Sequence, residues 1–305
     1  MSAHVGVFGG GQPPVLRVSA GDEVVTGTLG LWAGRVTPEH TLADVLRLRA
    51  AYPGVGPHTL TGPIAVEGAR PGDALGVEII EARPGTHGFN LATPHGLSRG
   101  VLADRFPDGI LRHFDIDSVA GVASSGDLRL PIRPFPGFVG VAPAAPQPHG
   151  SVEPGTFGGN LDIADAVPGS TVWLPVQRAG GLLYLGDGHA AQGNGELNGT
   201  AIECDLDVLR VRLRLAPGVL LRYPRITSTE HLTTVGLGAN LAEAVRIATE
   251  DMVTWAASTG LTEADAYVLC SVAGQVCLSQ VVNRVVGVHL RLARNLLPRC
   301  AAWWS

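Results

Sequence analysis

The chain has 305 residues, 45% of them hydrophobic, with a formal net charge of -5 and a pI near 6.0. That balance supplies apolar surface for a sizeable core, and it argues against nucleic acid or an anionic membrane as a partner. All 22 basic residues are arginine, so any chemistry that needs a catalytic lysine is excluded, the Cys-Glu-Lys and Ser-Ser-Lys arrangements included. The 41 glycines and 22 prolines are spread along the chain without a low-complexity run, a distribution that suits a strand-rich globular protein.

Taken in order, His4 to Gly11 is glycine-rich and ends at Pro13-Pro14. Strands are expected over Val15–Val18 and Glu23–Thr28, joined by the turn Ser19-Ala20-Gly21-Asp22. Pro38 to Tyr52 carries acidic residues early and arginine late, which predicts a short helix. Ile64–Val66 and Ala74–Glu81 read as strands around the turn Arg70-Pro71-Gly72-Asp73. Similar turns precede the apolar stretches EVVTGTL, ALGVEII and TVWLPVQ, and three such units suggest a β-sandwich or barrel-like body. Residues 84–160, which hold His87, His95, His113 and His149, are expected to form long loops with short strands that wall a site.

Val208 to Leu215 alternates cleanly, with Leu209, Val211, Leu213 and Leu215 on one face and Arg210, Arg212 and Arg214 on the other. This predicts an antiparallel strand with one face in water. Asn240 to Ser258 predicts a helix with Asn240 as N-cap, Glu243 three residues later and Gly260 past its end. A second helix is expected over Leu261 to Leu278, capped by Thr262. The fold class is therefore α+β, mainly β: one domain over 1–305, with a β-rich body to about 237 and a helical pair from about 238. The uncharged run Ala266 to Asn283 carries Ser271, Gln275 and Ser279 as a polar stripe, so it is read as an internal amphipathic helix and not a membrane span.

Cys204, Cys270, Cys277 and Cys300 show no paired spacing and are expected to be free thiols, with Cys270 and Cys277 on one helix face. The N-terminal MSAHVGVFGG has no basic region followed by an apolar one, so a cytoplasmic location is expected.

The stretch Tyr184 to Asp205 concentrates the chemistry. It packs Asp187, His189, Glu196 and Glu203 among glycines and contains no arginine. Asp and His two apart lie on one side of an extended backbone, and a hard-to-borderline divalent ion favours that mix of carboxylate and imidazole. On an unbroken strand Glu196 and Glu203 would face opposite sides, unless a bulge at Asn198-Gly199 restores them. Glu196 therefore ranks above Glu203 for the site. Gly158-Gly159-Asn160-Leu161-Asp162 offers a second pair of oxygen-bearing side chains. His58, ahead of a strand, and His4, near the N-terminus, are further candidates. There is no G-x-S-x-G nucleophile elbow and no phosphate-cradling loop.

Several of these segments together resemble the acetamidase/formamidase family. They are Pro13-Pro14-Val15-Leu16 with Ser19 to Asp22, His58-Thr59-Leu60-Thr61-Gly62-Pro63 with Val66 to Ala69 and Pro71-Gly72-Asp73, Gly158 to Asp162, and Gly186 to Gly193 running on through Glu196 to Glu203. The similarity extends into Ala266-Tyr267 and Leu269-Cys270-Ser271 and covers roughly residues 4 to 290. Asn194 stands where the family usually has Asp, and Phe157 where many relatives have a polar residue or His. Both departures bear on the substrate.

The resemblance implies hydrolysis of a short linear amide, of the formamide or acetamide kind, to a carboxylate and ammonia, assisted by a divalent metal. Zinc is expected, held by Asp187 and His189 with a third ligand from His58 or His4. Such an ion lowers the pKa of water and polarises the amide oxygen. Glu196 is the first choice as general base, ahead of Asp162 and Glu203, and Asn160 or backbone N–H groups would bind the oxyanion. The alternative is a β-sandwich that binds a small ligand through a cation such as calcium, with Asp162, Asp187 and Glu203 as pure oxygen ligands. A homo-oligomer is expected.

Overall fold

The computed structural model describes residues 3–52, 56–93 and 99–297. His95 and Cys300 lie outside them. Strand accounts for 44% of the residues and helix for 17%, which makes the fold mainly β with few helices. The elements that position the site are strands β1 (Thr59–Val66), β2 (Ala74–Ala92), β3 (Phe135–Val141), β4 (Leu183–Ala191), β5 (Ile202–Ala216), β6 (His231–Gly238), β7 (Gln275–Asn283) and β8 (Val285–Ala293), with helices α1 (Leu42–Ala51), α2 (Leu241–Ala257) and α3 (Glu263–Ala273).

All of these strands belong to one branched, almost wholly antiparallel sheet. β5 is its longest seam. One edge pairs with β2 from Glu203↔Phe89 to Ala216↔Ala74, and the other pairs with Glu23–Thr28. The alternation in β5 sorts its faces as expected: Leu209, Val211 and Leu213 are fully buried. On the opposite face Arg212 reaches Glu23 at 2.5 Å and Glu78 at 3.1 Å, Arg214 reaches Glu78 at 2.9 Å, and Arg210 reaches Glu81 at 3.4 Å. These cross-strand pairs fix the register of a strand whose other face is apolar.

Residues 84–160 are more regular than their prolines suggest. β2 continues to Ala92, and Ile110–Asp117 and β3 are full strands. Proline and glycine within β2, at Pro84 and Gly85, coincide with register shifts against β5 and do not end the strand.

The second C-terminal helix is shorter than its sequence pattern. It stops at Ala273, Gly274 takes extended φ/ψ, and the chain returns as β7. A Cβ at Gly274 would lie 2.3 Å from the Cys270 carbonyl oxygen, so this sharp exit needs glycine. The polar stripe of Ser271, Gln275 and Ser279 therefore spans a helix and a strand, and Cys270 and Cys277 do not share a helix face. The C-terminal part is a helix pair plus the β7–β8 hairpin. No helix among the described residues is long and apolar enough to cross a membrane.

α2 lies directly on β6. Asn240 caps it by accepting from the Glu243 N–H. A Cβ at Gly236 would stand 1.9 Å from the Ala244 carbonyl oxygen, so the strand offers bare backbone to the helix. The helix is also pinned to the strand beside β6, Arg225–Thr227, by a buried bidentate contact, Arg225 Nε and Nη2 to Asp251 at 2.9 and 2.8 Å, with the guanidinium 4.6 Å from the Trp255 ring. Breaking a buried pair from one side leaves an uncompensated charge. Asp251→Ala should therefore lower unfolding stability by about 3–5 kcal/mol, read from urea midpoints. Replacing both partners by apolar residues, Arg225→Met with Asp251→Leu, should recover most of that loss; a double variant as unstable as the single one would assign the cost to packing instead.

Candidate active site

The site forms where the sheet branches. One edge of β4 is bonded to β3 along its length, from Leu183↔Val141 to His189↔Phe135. The other edge changes partner midway. Leu183 to Gly186 face β1, and Gly188 to Ala191 face β5. Asp187 sits at the changeover with φ 58°, a left-handed conformation uncommon for a residue with a side chain. Its flanking glycines explain how two strands reach so close. A Cβ at Gly186 would lie 2.3 Å from the Thr59 carbonyl oxygen, and one at Gly188 would lie 2.6 Å from that of Cys204. The Gly-Asp-Gly spacing is thus a packing requirement of three adjacent strands.

Across the seam, Gly137 of β3 leaves the space into which the site's side chains project. A Cβ there would meet Asp187 Oδ2 and His189 Cε1 at 2.6 Å and Asp162 Oδ1 at 2.7 Å. The Gly137 carbonyl oxygen also accepts from the Leu161 and Asp162 N–H groups at 3.1 and 3.2 Å, which brings the Gly158–Asp162 segment over the same point.

Asp162, Asp187, His189, Glu196 and Glu203 converge here, all buried. His189 Nε2 is 3.4 Å from both Asp187 Oδ2 and Glu203 Oε1. Ligating atoms of Asp187, His189 and Glu203 lie within 4.8 Å of one another, and so do those of Asp162, His189 and Glu196. Asp162 Oδ1, Asp187 Oδ1 and Asn160 Oδ1 are buried without a hydrogen-bond partner. The cavity beside them has a volume of about 90 Å³ and is lined in part by His58, Asn160, Asp187, Glu196, Glu203 and Asn283.

His58 joins the site at its margin: Nε2 is 3.9 Å from Asp187 Oδ2 and Nδ1 is 2.8 Å from Ser151 Oγ. His4 does not join it. Its Nε2 bonds the Gly62 carbonyl at 3.1 Å and its Nδ1 faces the Gln12 amide at 3.3 Å, in a strand register that pairs His4 with Leu60 of β1. Glu203, ranked below Glu196 in the sequence, is the carboxylate that groups with Asp187 and His189. The single-strand assumption behind that ranking fails. Residues 192–201 form a loop with turns between β4 and β5, and Glu196 sits on it at φ 48°, so no period-two rule relates the two glutamates.

Two further residues belong to the site. Gln192 Oε1 accepts from His189 Nδ1 at 2.9 Å, while its amide donates to the carbonyls of Asp162 at 2.9 Å and Ser279 at 3.4 Å. Asn283, at the end of β7, donates to Asp162 Oδ2. Gln192 lies inside the Gly186–Gly193 segment and was visible there. Asn283 comes from a stretch whose sequence pattern reads as helix.

The electrostatics follow from burying several acids together. Burial pushes the Asp162 and Glu196 carboxyls well above the usual range, and Asp187 beside the first and Asp162 beside the second push the same way. Burial also raises Glu203, against the pull of His189. At Asp187 burial is outweighed by His58 and His189, which hold it down at about 2. His189 is disfavoured as a cation by burial, yet Glu203 and Asp187 carry it well above an ordinary histidine. Buried acids with displaced proton affinities, gathered beside a cavity, mark this as the candidate functional centre.

The chain is 26% identical over 238 residues to a formamidase of Methylophilus methylotrophus, covering 61% of this chain and 57% of that protein. It is 30% identical over 199 residues to an acetamidase of Mycolicibacterium smegmatis, covering 46% and 49%. The chain thus spans about half the length of the curated relatives it matches. Among solved structures, an acetamidase from Bacillus halodurans superposes with a TM-score of 0.86 at 31% identity, over 98% of this chain and 97% of that one. The Acetamidase/Formamidase family model matches residues 10–150 and 144–290, nearly the whole body that carries the branched sheet and its acidic centre, and the chain belongs to that family.

Proposed function

We propose that this chain hydrolyses the C–N bond of a small linear amide to a carboxylate and ammonia, and that a divalent cation takes part. The observation that carries the reading is the buried group Asp187, His189 and Glu203, whose ligating atoms lie within 4.8 Å of one another beside partnerless carboxylate oxygens. Buried carboxylates with open lone pairs are costly unless paired or bound to a cation, and this donor set fits one. Both groupings of acids include His189, which supports a borderline ion such as zinc over calcium, an oxygen-seeking ion. When bound, such an ion supplies Lewis acidity to the amide carbonyl and to water.

The remaining work falls to the chain's own groups. Gln192 holds His189 through Nδ1 and so directs Nε2 at the carboxylates, the usual way a second partner orients a ligating imidazole. Glu196, with its affinity for protons raised by burial and Asp162, is the carboxylate placed to take a proton from water and return it to the leaving nitrogen. The Asn160 amide nitrogen is engaged by the Val152 carbonyl at 3.4 Å, while its Oδ1 has no partner. That free acceptor suits the N–H₂ of an amide better than an oxyanion. Asn283 keeps Asp162 oriented. Cys204 is buried and its thiol is pushed up, mainly by burial, which does not suit a thiolate nucleophile.

Chelation should abolish release of ammonia from formamide and acetamide, and zinc should restore it. Full turnover by protein shown by elemental analysis to be metal-free would reject the cation. Asp187→Ala should lose bound metal, because a ligand goes. Glu196→Gln should keep the metal and substrate binding while kcat falls by about 10²–10⁴-fold with KM little changed. Loss of metal in Glu196→Gln would make Glu196 a ligand and shift the base to Asp162. Cys204→Ala should retain most of its turnover, and trapping an acyl thioester at Cys204 would overturn the non-covalent reading.

A further inference from the structure

The cavity at the acidic centre has a second wall of different chemistry, formed by Leu31, Trp32, Tyr52 and Leu91 with Arg49 and Thr93. Leu31, Trp32 and Leu91 belong to a small apolar cluster of their own, with Tyr52 packed against it. Trp32 stands at φ 51° and Ala33 at φ 63°, conformations that bulky L residues adopt only where neighbours hold them. Here the Trp32 N–H bonds the Pro57 carbonyl at 2.8 Å, and the Ala33 N–H bonds Thr59 Oγ1 at 2.8 Å. Thr59 Oγ1 in turn donates to the Gly30 carbonyl at 2.6 Å. The strained turn is fastened at three points so that Trp32, 3% exposed, forms part of the cavity lining.

Arg49 comes from the last turn of α1 and donates through Nη1 to Thr93 Oγ1 at 3.1 Å. It is the one arginine among the described residues lining this cavity; the other titratable groups there are Tyr52, His58, Asp187, Glu196 and Glu203. A guanidinium presents five donors in a planar fork matched to a carboxylate. Among the described residues it is the one permanently charged cation on a wall that otherwise carries His58 and three carboxyl groups. The cavity volume of about 90 Å³ is several times the roughly 10–15 Å³ that one water needs on the same measure, room for a short-chain amide.

We propose that the substrate's acyl group ends in a carboxylate: the chain acts on a short ω-amido acid. The methylenes lie against Trp32 and Leu91, and the carboxylate lies on Arg49. Water adds at the amide carbon, the C–N bond breaks, and the nitrogen leaves as ammonia with the proton it receives, giving a dicarboxylate. The inference rests on the amidase reading above and adds the identity of the acyl group.

The test compares kcat/KM for malonamate and succinamate with that for butyramide and valeramide, their uncharged counterparts. The wild-type chain should favour the carboxylate-bearing amides by about 10- to 100-fold, the usual worth of a charge-assisted hydrogen bond. Arg49→Met should lower malonamate turnover about 10- to 100-fold more than butyramide turnover, and Arg49→Lys should restore part of the difference. Equal preference in the wild type, or equal losses in Arg49→Met, overturns the proposal while leaving the amidase reading intact. Failure to hydrolyse any amide defeats the amidase reading instead. In that case calorimetry with malonate decides the anion site: binding weakened by Arg49→Met keeps it, and no binding to the wild type removes it.

Discussion

Everything at the centre of this molecule depends on three backbones meeting at one residue. β4 is held by β3 on one edge and passes from β1 to β5 on the other. The handover happens at Asp187, and the approach is so close that neither neighbour of Asp187 can carry a Cβ. A sheet that branches must leave its strands diverging, and the wedge between them is where side chains can gather without filling the space with apolar packing. The acidic group lies in that wedge. Its position is fixed by main-chain hydrogen bonds on three sides, so the aspartate can be held in a left-handed conformation that an isolated turn would not keep.

The layer behind the wedge comes from the far end of the chain. The β7–β8 hairpin supplies Asn283 to Asp162, and the Ser279 carbonyl to Gln192 and to the Gly195 N–H. Through Gln192 and Gly195 it reaches both the imidazole of His189 and the loop that carries Glu196. Ser279 itself bonds His289 Nδ1 at 2.9 Å, and His289 Nε2 lies 3.6 Å from the half-buried Asp165, so the support continues outward as a polar chain.

Much of this was legible in the chain itself. The Gly186–Gly193 segment, the Asn160/Asp162 pair and the alternation of β5 all signal their structure, because each follows from local sterics or a period of two. Three things were not legible. Glu196 and Glu203 were related by strand periodicity, but Gly193, Gly195 and Gly199 turn the intervening segment into a loop, where periodicity has no meaning. His4 is a sound ligand type near a plausible site, and only the register of a three-residue strand against β1 sends it elsewhere. Residues 275–283 carry polar groups at helical spacing, yet the chain past Gly274 is strand. The choice there was made by pairing with β8, a long-range contact that local pattern does not encode.

The glycines around Asp187 have a consequence for how this chain can change over generations. Gly186 and Gly188 are required by contact with neighbouring main chains, whatever reaction is performed there, whereas Gly137 makes room for the site's own side chains. A descendant that lost Asp187 or Glu203, and with them its chemistry, would still need the two β4 glycines to keep the strands together. The glycine spacing is thus inherited with the architecture, and the acids are inherited with the reaction. In any lineage of such chains the two can part company, and it is the carboxylates and the histidine, read apart from the glycines between them, that report whether a member still catalyses.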